Sequence, residues 1–356
     1  MRILSLLALV VVVGCDSTAP DATGSVYVAN QGIFSDNSGS VTRFDPDTGT
    51  ATADLAPGLG GLVQSVETVG DRVFAFLNFS DSFGTGSGRI AEVDPTTGTV
   101  VGEAEVGTPR AWAVVGGTAF VTNFYGASVT PVSLSGLAAG APIPVGDNPE
   151  GIAAVGDRIY VANYSAGFDF GAGRTVSVIS ASGRAVVETI DVGCDGPRFV
   201  FADGDGEVWV VCTGRTIYDA DFNVVGQTTG DVVVLDGATG DEVARPGLPG
   251  QVGSGTLGTD AAHSAAMKEV YVSLGDRLLV FGTDSNAGSS AIVVDGPPIS
   301  AVAFDDIDSR FYLGRVDADA PFSAPGTVTV HDRDGRQLAQ FGAGVLPSAV
   351  AFGPAR

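Results

Sequence analysis

The sequence predicts an all-β fold, a seven-bladed β-propeller of four-stranded antiparallel blades. Its clearest unit spans residues 149–193 and contains four short apolar runs, each bounded by Gly, Asp, Asn or Ser. Gly156-Asp157 separates the first two runs closely enough for a hairpin turn. Four antiparallel strands in about 45 residues are typical of one propeller blade.

The number of blades follows from an aromatic residue in each second strand. These markers are Tyr27, Phe74, Phe120, Tyr160, Trp209, Tyr271 and Tyr312. The unit that starts at Ser25 lacks a first strand, whereas the last run, residues 347–353, resembles a first strand with no second strand behind it. We therefore expect the C-terminal strand to join blade one, which closes the ring and leaves no exposed sheet edge.

The N-terminal segment has the pattern of an export signal. Arg2 precedes an apolar stretch, residues 3–13, that is too short to span a bilayer as a mature helix. It ends in VVGC, residues 12–15, which resembles the bacterial lipobox, whose cysteine is acylated. The sequence thus predicts a lipoprotein signal peptide (1–14), a lipidated Cys15 with a flexible tether (15–24) and a single propeller (25–356). An ordinary secretory peptide cut nearby is the alternative.

Two further cysteines, Cys194 and Cys212, belong to the propeller. A hairpin about the turn at residues 203–206 would place both near its open end, and export permits a disulfide. A structural bridge is favoured over two free buried thiols, and the geometry decides between them.

The charge balance restricts the partners. The chain has 41 acidic and 18 basic residues, for a net charge of −23. Such a surface repels phosphate backbones, which argues against nucleic-acid binding. Two acidic turns, residues 203–207 and 305–308, place carboxylates close together, but neither completes an EF-hand loop. Acidic hairpin turns are therefore favoured over a structural calcium site.

Three second strands resemble a known repeat. The segments VYVAN (26–30), FVTN (120–123) and YVAN (160–163) resemble the YVTN repeat of surface-layer and YncE-like propellers. The opening VYVANQGIFSDNSGSVTRFDPDTG is similar to surface lipoproteins of Bacteroidota-type bacteria, one branch of which captures cobalamin for a TonB-dependent outer-membrane transporter. The resemblance implies a corrinoid-like ligand, an envelope partner such as that transporter, and a lipid anchor in the outer membrane or at the cell surface.

The long connections fall on one face of the predicted propeller. They are residues 31–40, 78–89, 164–174, 214–230 and 316–326, while the opposite turns are short. Loops on a rigid scaffold carry recognition, so we expect a binding face rich in aromatic side chains, about half of which pack beneath their own loops. The candidate ligand-binding residues are Asn30, Phe34, Phe79, Arg110, Trp112, Phe124, Tyr125, Glu150, Tyr164, Phe168, Arg198 and Tyr218.

Catalysis has little support in the sequence. The two histidines, His263 and His331, are far apart, and the chain contains no serine elbow, HExxH or CxxC motif. Arg110, Glu150 and Arg198 are expected at the channel mouth, where one glutamate against two arginines makes a poor cage for a divalent cation. We expect a binding protein without catalytic residues, metal or cofactor. The alternatives are a protein or glycan interaction scaffold and, less favoured, a hydrolase of the lactonase type.

Overall fold

The computed structural model describes residues 24–79, 87–167, 169–253 and 258–354. These residues form seven antiparallel blades around a ring, so the predicted fold class is confirmed. Blades 1 to 3 comprise β1 (Val26–Asn30), β2 (Ser40–Asp45), β3 (Thr50–Thr52), β4 (Leu62–Val69), β5 (Arg72–Asn78), β6 (Gly88–Val93), β7 (Val100–Val106), β8 (Pro109–Val115), β9 (Thr118–Asn123), β10 (Ser128–Ser133), β11 (Ala138–Ala139) and β12 (Ile143–Pro144). Strands β11 and β12 share the outer position of blade 3.

Blades 4 to 7 continue the ring in chain order. Their strands are β13 (Pro149–Val155), β14 (Arg158–Ala166), β15 (Asp169–Ser180), β16 (Ala185–Asp191), β17 (Pro197–Ala202), β18 (Glu207–Cys212), β19 (Thr216–Tyr218), β20 (Val224–Gln227), β21 (Asp231–Asp236), β22 (Glu242–Ala244), β23 (Ala261–Ser264), β24 (Glu269–Leu274), β25 (Arg277–Gly282), β26 (Ala287–Val293), β27 (Ile299–Asp305), β28 (Arg310–Arg315), β29 (Pro325–His331) and β30 (Gln337–Val345). The hairpin β19–β20 is an insertion in blade 5.

The ring closes as the sequence predicts. Strand β31 (Pro347–Phe352) pairs antiparallel with β1, and Val350 lies opposite Val28. The innermost strand of blade 1 therefore comes from the C-terminus, while its other three strands come from the N-terminal part of the propeller. Residues Phe34–Asp36 form a short 3₁₀ helix. No helix in the described residues is long and apolar enough to cross a membrane.

The apolar core lies between neighbouring blades. Phe74 and Phe76 of blade 2 are fully buried against Val121 of blade 3, and Trp209 of blade 5 is buried against Val270 of blade 6. Because side chains alternate along a strand, each blade can bury apolar residues on both of its faces. The propeller therefore has a ring of small cores in place of a single central one.

The asparagine of the YVTN-like motif ties three segments together. Asn163 donates from Nδ2 to Thr175 Oγ1 (2.9 Å) and Ser177 Oγ (3.0 Å) on the third strand, and its Oδ1 accepts the backbone N–H of Gly146 (3.1 Å). Gly146 lies in the connection that enters the blade. The same arrangement recurs at Asn123 and at Asn30. Asn30, a candidate ligand residue in the sequence, therefore has a structural role.

Two of the predicted loops are β-hairpins. Strands β14 and β15 extend into the segment 164–174, where Ala166 pairs with Asp169. Gly167 adopts a positive φ of 62°, which suits a tight turn at the tip. The segment 214–230 contains the hairpin β19–β20. Both hairpins stand on the long-loop face and supply the walls of the site.

Candidate ligand-binding site

A cavity of about 520 Å³ lies on the long-loop face over blades 3, 4 and 5. Its walls carry Phe124 and Tyr125 after β9, Tyr164 and Phe170 from the β14–β15 hairpin, and Tyr218 from β19. A concave site of about 300–1,000 Å³ with aromatic walls and a few polar groups is typical of small-molecule binding.

The floor of the cavity is made by Arg110, Glu150 and Arg198. Each residue directly follows the proline that opens the first strand of its blade, β8, β13 or β17. The same three residues line a second space of about 340 Å³ on the channel side. They therefore form the boundary between the cavity and the central channel.

The charged groups of the floor face one another without direct hydrogen bonds. Glu150 Oε1 lies 4.0 Å from Arg110 Nε and 3.9 Å from Arg198 Nε, and the three side chains are 14%, 10% and 8% exposed. Arg198 Nη1 lies 3.6 Å from Asp260 Oδ2. Arg110 donates from Nη1 to Gln64 Oε1, and Arg198 donates from Nη2 to the carbonyl of Gly258 at 3.0 Å.

The guanidinium groups also support the aromatic walls. Arg110 Cζ lies 4.4 Å from the ring centroid of Phe124, and Arg198 Cζ lies 5.8 Å from that of Tyr164. The Phe124 ring contacts Tyr125 edge-on at 4.9 Å and is parallel to Phe170 at 6.1 Å. Cation–π contacts of this kind are stronger in desolvated sites. The walls and the floor therefore form one connected packing unit.

Burial changes the protonation equilibria of the floor. Desolvation lowers the pKa of Arg110, although Glu150 opposes this change, and the guanidinium stays charged. Desolvation raises the pKa of Asp260 to about 7, against the lowering effect of Arg198. Desolvation likewise raises the pKa of Tyr164, so its hydroxyl remains neutral. At neutral pH, Asp260 is therefore divided between its neutral and ionised forms.

Arg215 holds the side wall of the cavity. Its Nη1 donates to Asp169 Oδ2 at 2.5 Å, and its Nε lies 3.5 Å from Asp195 Oδ2. Asp169 belongs to the hairpin of blade 4, so this contact fastens that hairpin to blade 5. Sequence reasoning missed Arg215 and also left Phe170 outside the candidate set. The sequence feature that could have identified Arg215 is its position as a basic residue in a long loop, because the chain has only 18 basic residues.

The structure brings together part of the candidate set. The candidates that line the cavity are Arg110, Phe124, Tyr125, Glu150, Tyr164, Arg198 and Tyr218. Trp112 instead packs edge-on against Phe74 and Phe76, at 5.0 and 5.1 Å, and lines the channel space.

Other candidates lie elsewhere. Asn30 belongs to the hydrogen-bond network that ties the strands of blade 1 together. Phe34 lies in the 3₁₀ turn and is half-exposed. The ring centroid of Phe79 lies 5.2 Å from Cζ of Arg89. Phe168 and Cys15 lie outside the described residues, as do the signal peptide and almost all of the tether predicted before Ser25.

His331 and the acidic turn that begins at Asp203 have local hydrogen-bond partners, whereas His263 Nε2 is buried without one. His331 contacts the carbonyl of Gly335 through Nδ1 and Thr329 Oγ1 through Nε2, both at 2.9 Å. Asp203 Oδ1 accepts the backbone N–H groups of Asp205 and Glu207, which stabilises its turn. Across residues 24–354, apart from the gaps given above, no three His, Cys, Asp or Glu side chains are grouped as they would be around a metal ion.

Solved structures share the fold of this chain. No protein-family model and no curated protein matches the sequence. A Bacteroides fragilis protein assigned as a 6-phosphogluconolactonase superposes with a TM-score of 0.66 at 13% identity, covering 95% of this chain and 100% of that one. The periplasmic gluconolactonase of Pseudomonas aeruginosa gives 0.63 at 16% identity, covering 93% and 100%. Hydrazine synthase from Kuenenia stuttgartiensis gives 0.63 at 20% identity, covering 85% and 92%. These likenesses show the propeller fold.

Proposed function

We propose that the protein is a ligand-binding propeller that captures a small organic molecule in the cavity over blades 3 to 5. The observation that carries the proposal is a cavity of about 520 Å³ that is lined by five aromatic side chains above a buried charged floor. The extension of strands β14 and β15 into residues 164–174 and the inserted hairpin β19–β20 are not needed to close the propeller. They contribute Tyr164, Phe170 and Tyr218 to the cavity.

The proposal includes a place in the cell envelope. The lipobox-like VVGC at residues 12–15 supports a lipid anchor on Cys15, and the Cys194–Cys212 disulfide fits an exported protein. An anchored capture protein would pass its ligand to an outer-membrane transporter or another envelope protein. A corrinoid, which the sequence resemblance implies, is larger than this cavity and would extend over its aromatic rim.

A protein or glycan interaction scaffold is the second candidate, and the β19–β20 hairpin favours it. Phe222 at its tip is 85% exposed, and Tyr218, Val224 and Val225 beside it are exposed as well. Contiguous exposed apolar side chains mark interaction surfaces. The hairpin could contact a transporter or another envelope protein, so the two candidates use adjoining surfaces and can be tested separately.

Calorimetric titration of the purified protein tests ligand capture. The panel contains cobalamin, cobinamide and small aromatic acids, amides and amines. Phe124→Ala and Tyr164→Ala remove cavity walls, whereas Phe322→Ala removes an exposed ring in the connection between β28 and β29 and serves as the control. Binding that the first two variants lose and the control keeps supports the proposal.

The same experiment has two contrary outcomes. Failure of the folded protein to bind any member of the panel would overturn the ligand-capture proposal, as would binding that is indifferent to Phe124→Ala and Tyr164→Ala. Hydrolysis of a sugar lactone by the wild type that Asp260→Asn abolishes would show that the site transforms its ligand. That assay is appropriate because two structures with this fold are described as gluconolactonases.

A further inference from the structure

The arginines of the cavity floor differ from the paired arginines elsewhere in the propeller. Arg72 meets Glu92 at 2.7 Å and Arg158 meets Glu188 at 2.6 Å, both with hydrogen bonds. Arg110 and Arg198 are more buried, yet their carboxylate contacts are 3.6–4.0 Å long. Buried guanidinium groups normally have hydrogen-bonded partners, so these two retain unused capacity to bind an acceptor.

Most of the unpaired buried polar atoms near the floor are hydrogen-bond donors. In the described part of the chain, Arg110 Nε, Arg198 Nε, Arg215 Nε and Gln251 Nε2 are buried without a hydrogen-bond partner, against a single acceptor there, Asp260 Oδ2. All of the donor residues line the cavity. A ligand that is rich in acceptors and small enough to enter the floor would satisfy this excess.

The fixed charges of the floor favour a ligand with one negative charge. Arg215 and Arg174 pair with Asp169 and Asp195, and these four charges cancel. This leaves Arg110 and Arg198 against Glu150 and Asp260. The raised pKa of Asp260, about 7, leaves this carboxyl partly neutral at neutral pH, so the floor carries a small positive excess. This excess lies within a chain whose net charge is −23.

We propose that the cavity binds a planar organic monocarboxylate, with its carboxylate against Arg110 and Arg198 and its apolar body among the aromatic walls. The inference rests on the ligand-binding function proposed above and specifies the ligand class. Guanidinium groups match the geometry of a carboxylate and bind it with charge-assisted hydrogen bonds. Small rotations of the two side chains would bring their free N–H groups to the incoming oxygens, while the guanidinium groups stay close to the rings of Phe124 and Tyr164.

The test compares matched probes that share one apolar body. The full chain is titrated with 2-naphthoate, 2-naphthamide and 2-naphthylmethylammonium at neutral pH. We expect the acid to bind at least tenfold more tightly than the amide and the cation, although the overall charge of the protein attracts the cation. Equal or tighter binding of the amide or the cation, lost in Phe124→Ala, would overturn the carboxylate assignment and leave ligand capture intact.

Two more outcomes also count against the assignment. Tighter binding of 2-naphthyl phosphate than of 2-naphthoate would replace the carboxylate by a phosphate. Failure of all the naphthyl probes to bind would remove the inference, and the broader ligand panel would then decide the proposed function on its own.

Variants of Arg110 test whether its guanidinium group recognises the carboxylate of the ligand. Arg110→Gln should weaken naphthoate binding at least tenfold and change naphthamide binding less than twofold. Arg277→Gln, which alters an exposed arginine of blade 6 paired with Asp276, should leave both unchanged. Arg110→Lys should give an intermediate loss, because it keeps the charge and loses the planar fork. Equal loss for acid and amide in Arg110→Gln would show a structural role instead.

Discussion

Cys194 and Cys212 are joined by a disulfide at the positions that Gly146 and Asn163 occupy in the preceding blade. Cys212 pairs with Pro197 as Asn163 pairs with Pro149. Cys194 lies three positions before Pro197, just as Gly146 lies three positions before Pro149.

The third strands of blades 4 and 5 explain why blade 5 has a disulfide where blade 4 has hydrogen bonds. Asn163 donates to the Ser177 hydroxyl, but the corresponding position in blade 5 is Val233, which packs with both cysteines. An asparagine amide would lack that partner there and would be costly to bury. In blade 5, a covalent bond therefore replaces the hydrogen-bonded connection, next to the cavity residues Thr213 and Gly214.

The first prediction concerns this disulfide. The double variant Cys194→Ser with Cys212→Ser should lose about 2–4 kcal/mol of unfolding free energy, because the unfolded chain regains conformational freedom. Denaturant unfolding with and without reductant measures the effect. Reductant should destabilise the wild type and leave the double variant unchanged, and an indifferent wild type would show that the bridge contributes nothing.

The second prediction concerns the contact between glycine and asparagine. In Gly146→Ala the new Cβ would lie 2.5 Å from Asn163 Cγ, so the network must shift. We expect a loss of about 1–3 kcal/mol, typical of overpacking. Gly136→Ala, which meets nothing within 4 Å, is the matched control for thermal unfolding. Equal melting temperatures for the two variants would contradict the prediction.

The third prediction concerns pH. The pKa of Asp260 is raised from 3.8 to about 7, so between these values the folded state binds a proton that the unfolded state has lost. Its contribution to stability is complete below pH 3.8 and declines by about 1.4 kcal/mol per pH unit until about pH 7. Asp260→Asn should remove this decline. Unfolding free energies of both proteins at pH 5 and pH 8 provide the measurement, and identical pH profiles would refute it.

The fourth prediction concerns ring closure. Removing residues 347–356 deletes β31, including Val350, the partner of Val28. The edge of β1 is then left unpaired. We expect aggregation and a much lower melting temperature, because an unpaired central strand exposes both backbone groups and apolar side chains. Removing only residues 354–356, beyond the closing strand, is the control. Size-exclusion chromatography distinguishes the two, and a monomeric, stable protein lacking β31 would disprove the closure argument.

Much of the scaffold was readable from the sequence. The repeated strand runs, the turn residues and the unpaired C-terminal strand predict seven blades and their closure, because strand alternation and hairpin turns are local properties. The prolines at 109, 149 and 197 likewise placed Arg110, Glu150 and Arg198 at equivalent first-strand positions, which the structure brings to one floor.

The composition of the site depended on contacts that no local pattern contains. Arg215 reaches Asp169 across 46 residues, and Arg110 reaches Gln64 across 46 residues. The same applies to Asn30. The sequence placed it on the long-loop face as a candidate ligand residue, but its side-chain amide is hydrogen-bonded to Ser40, Thr42 and Gly344. By itself, the sequence determined which residues form strands and where charges and rings could gather. Only the tertiary structure decided which rings enclose a cavity and which arginines remain without hydrogen-bonded carboxylates, because both depend on how blades distant in the chain pack together.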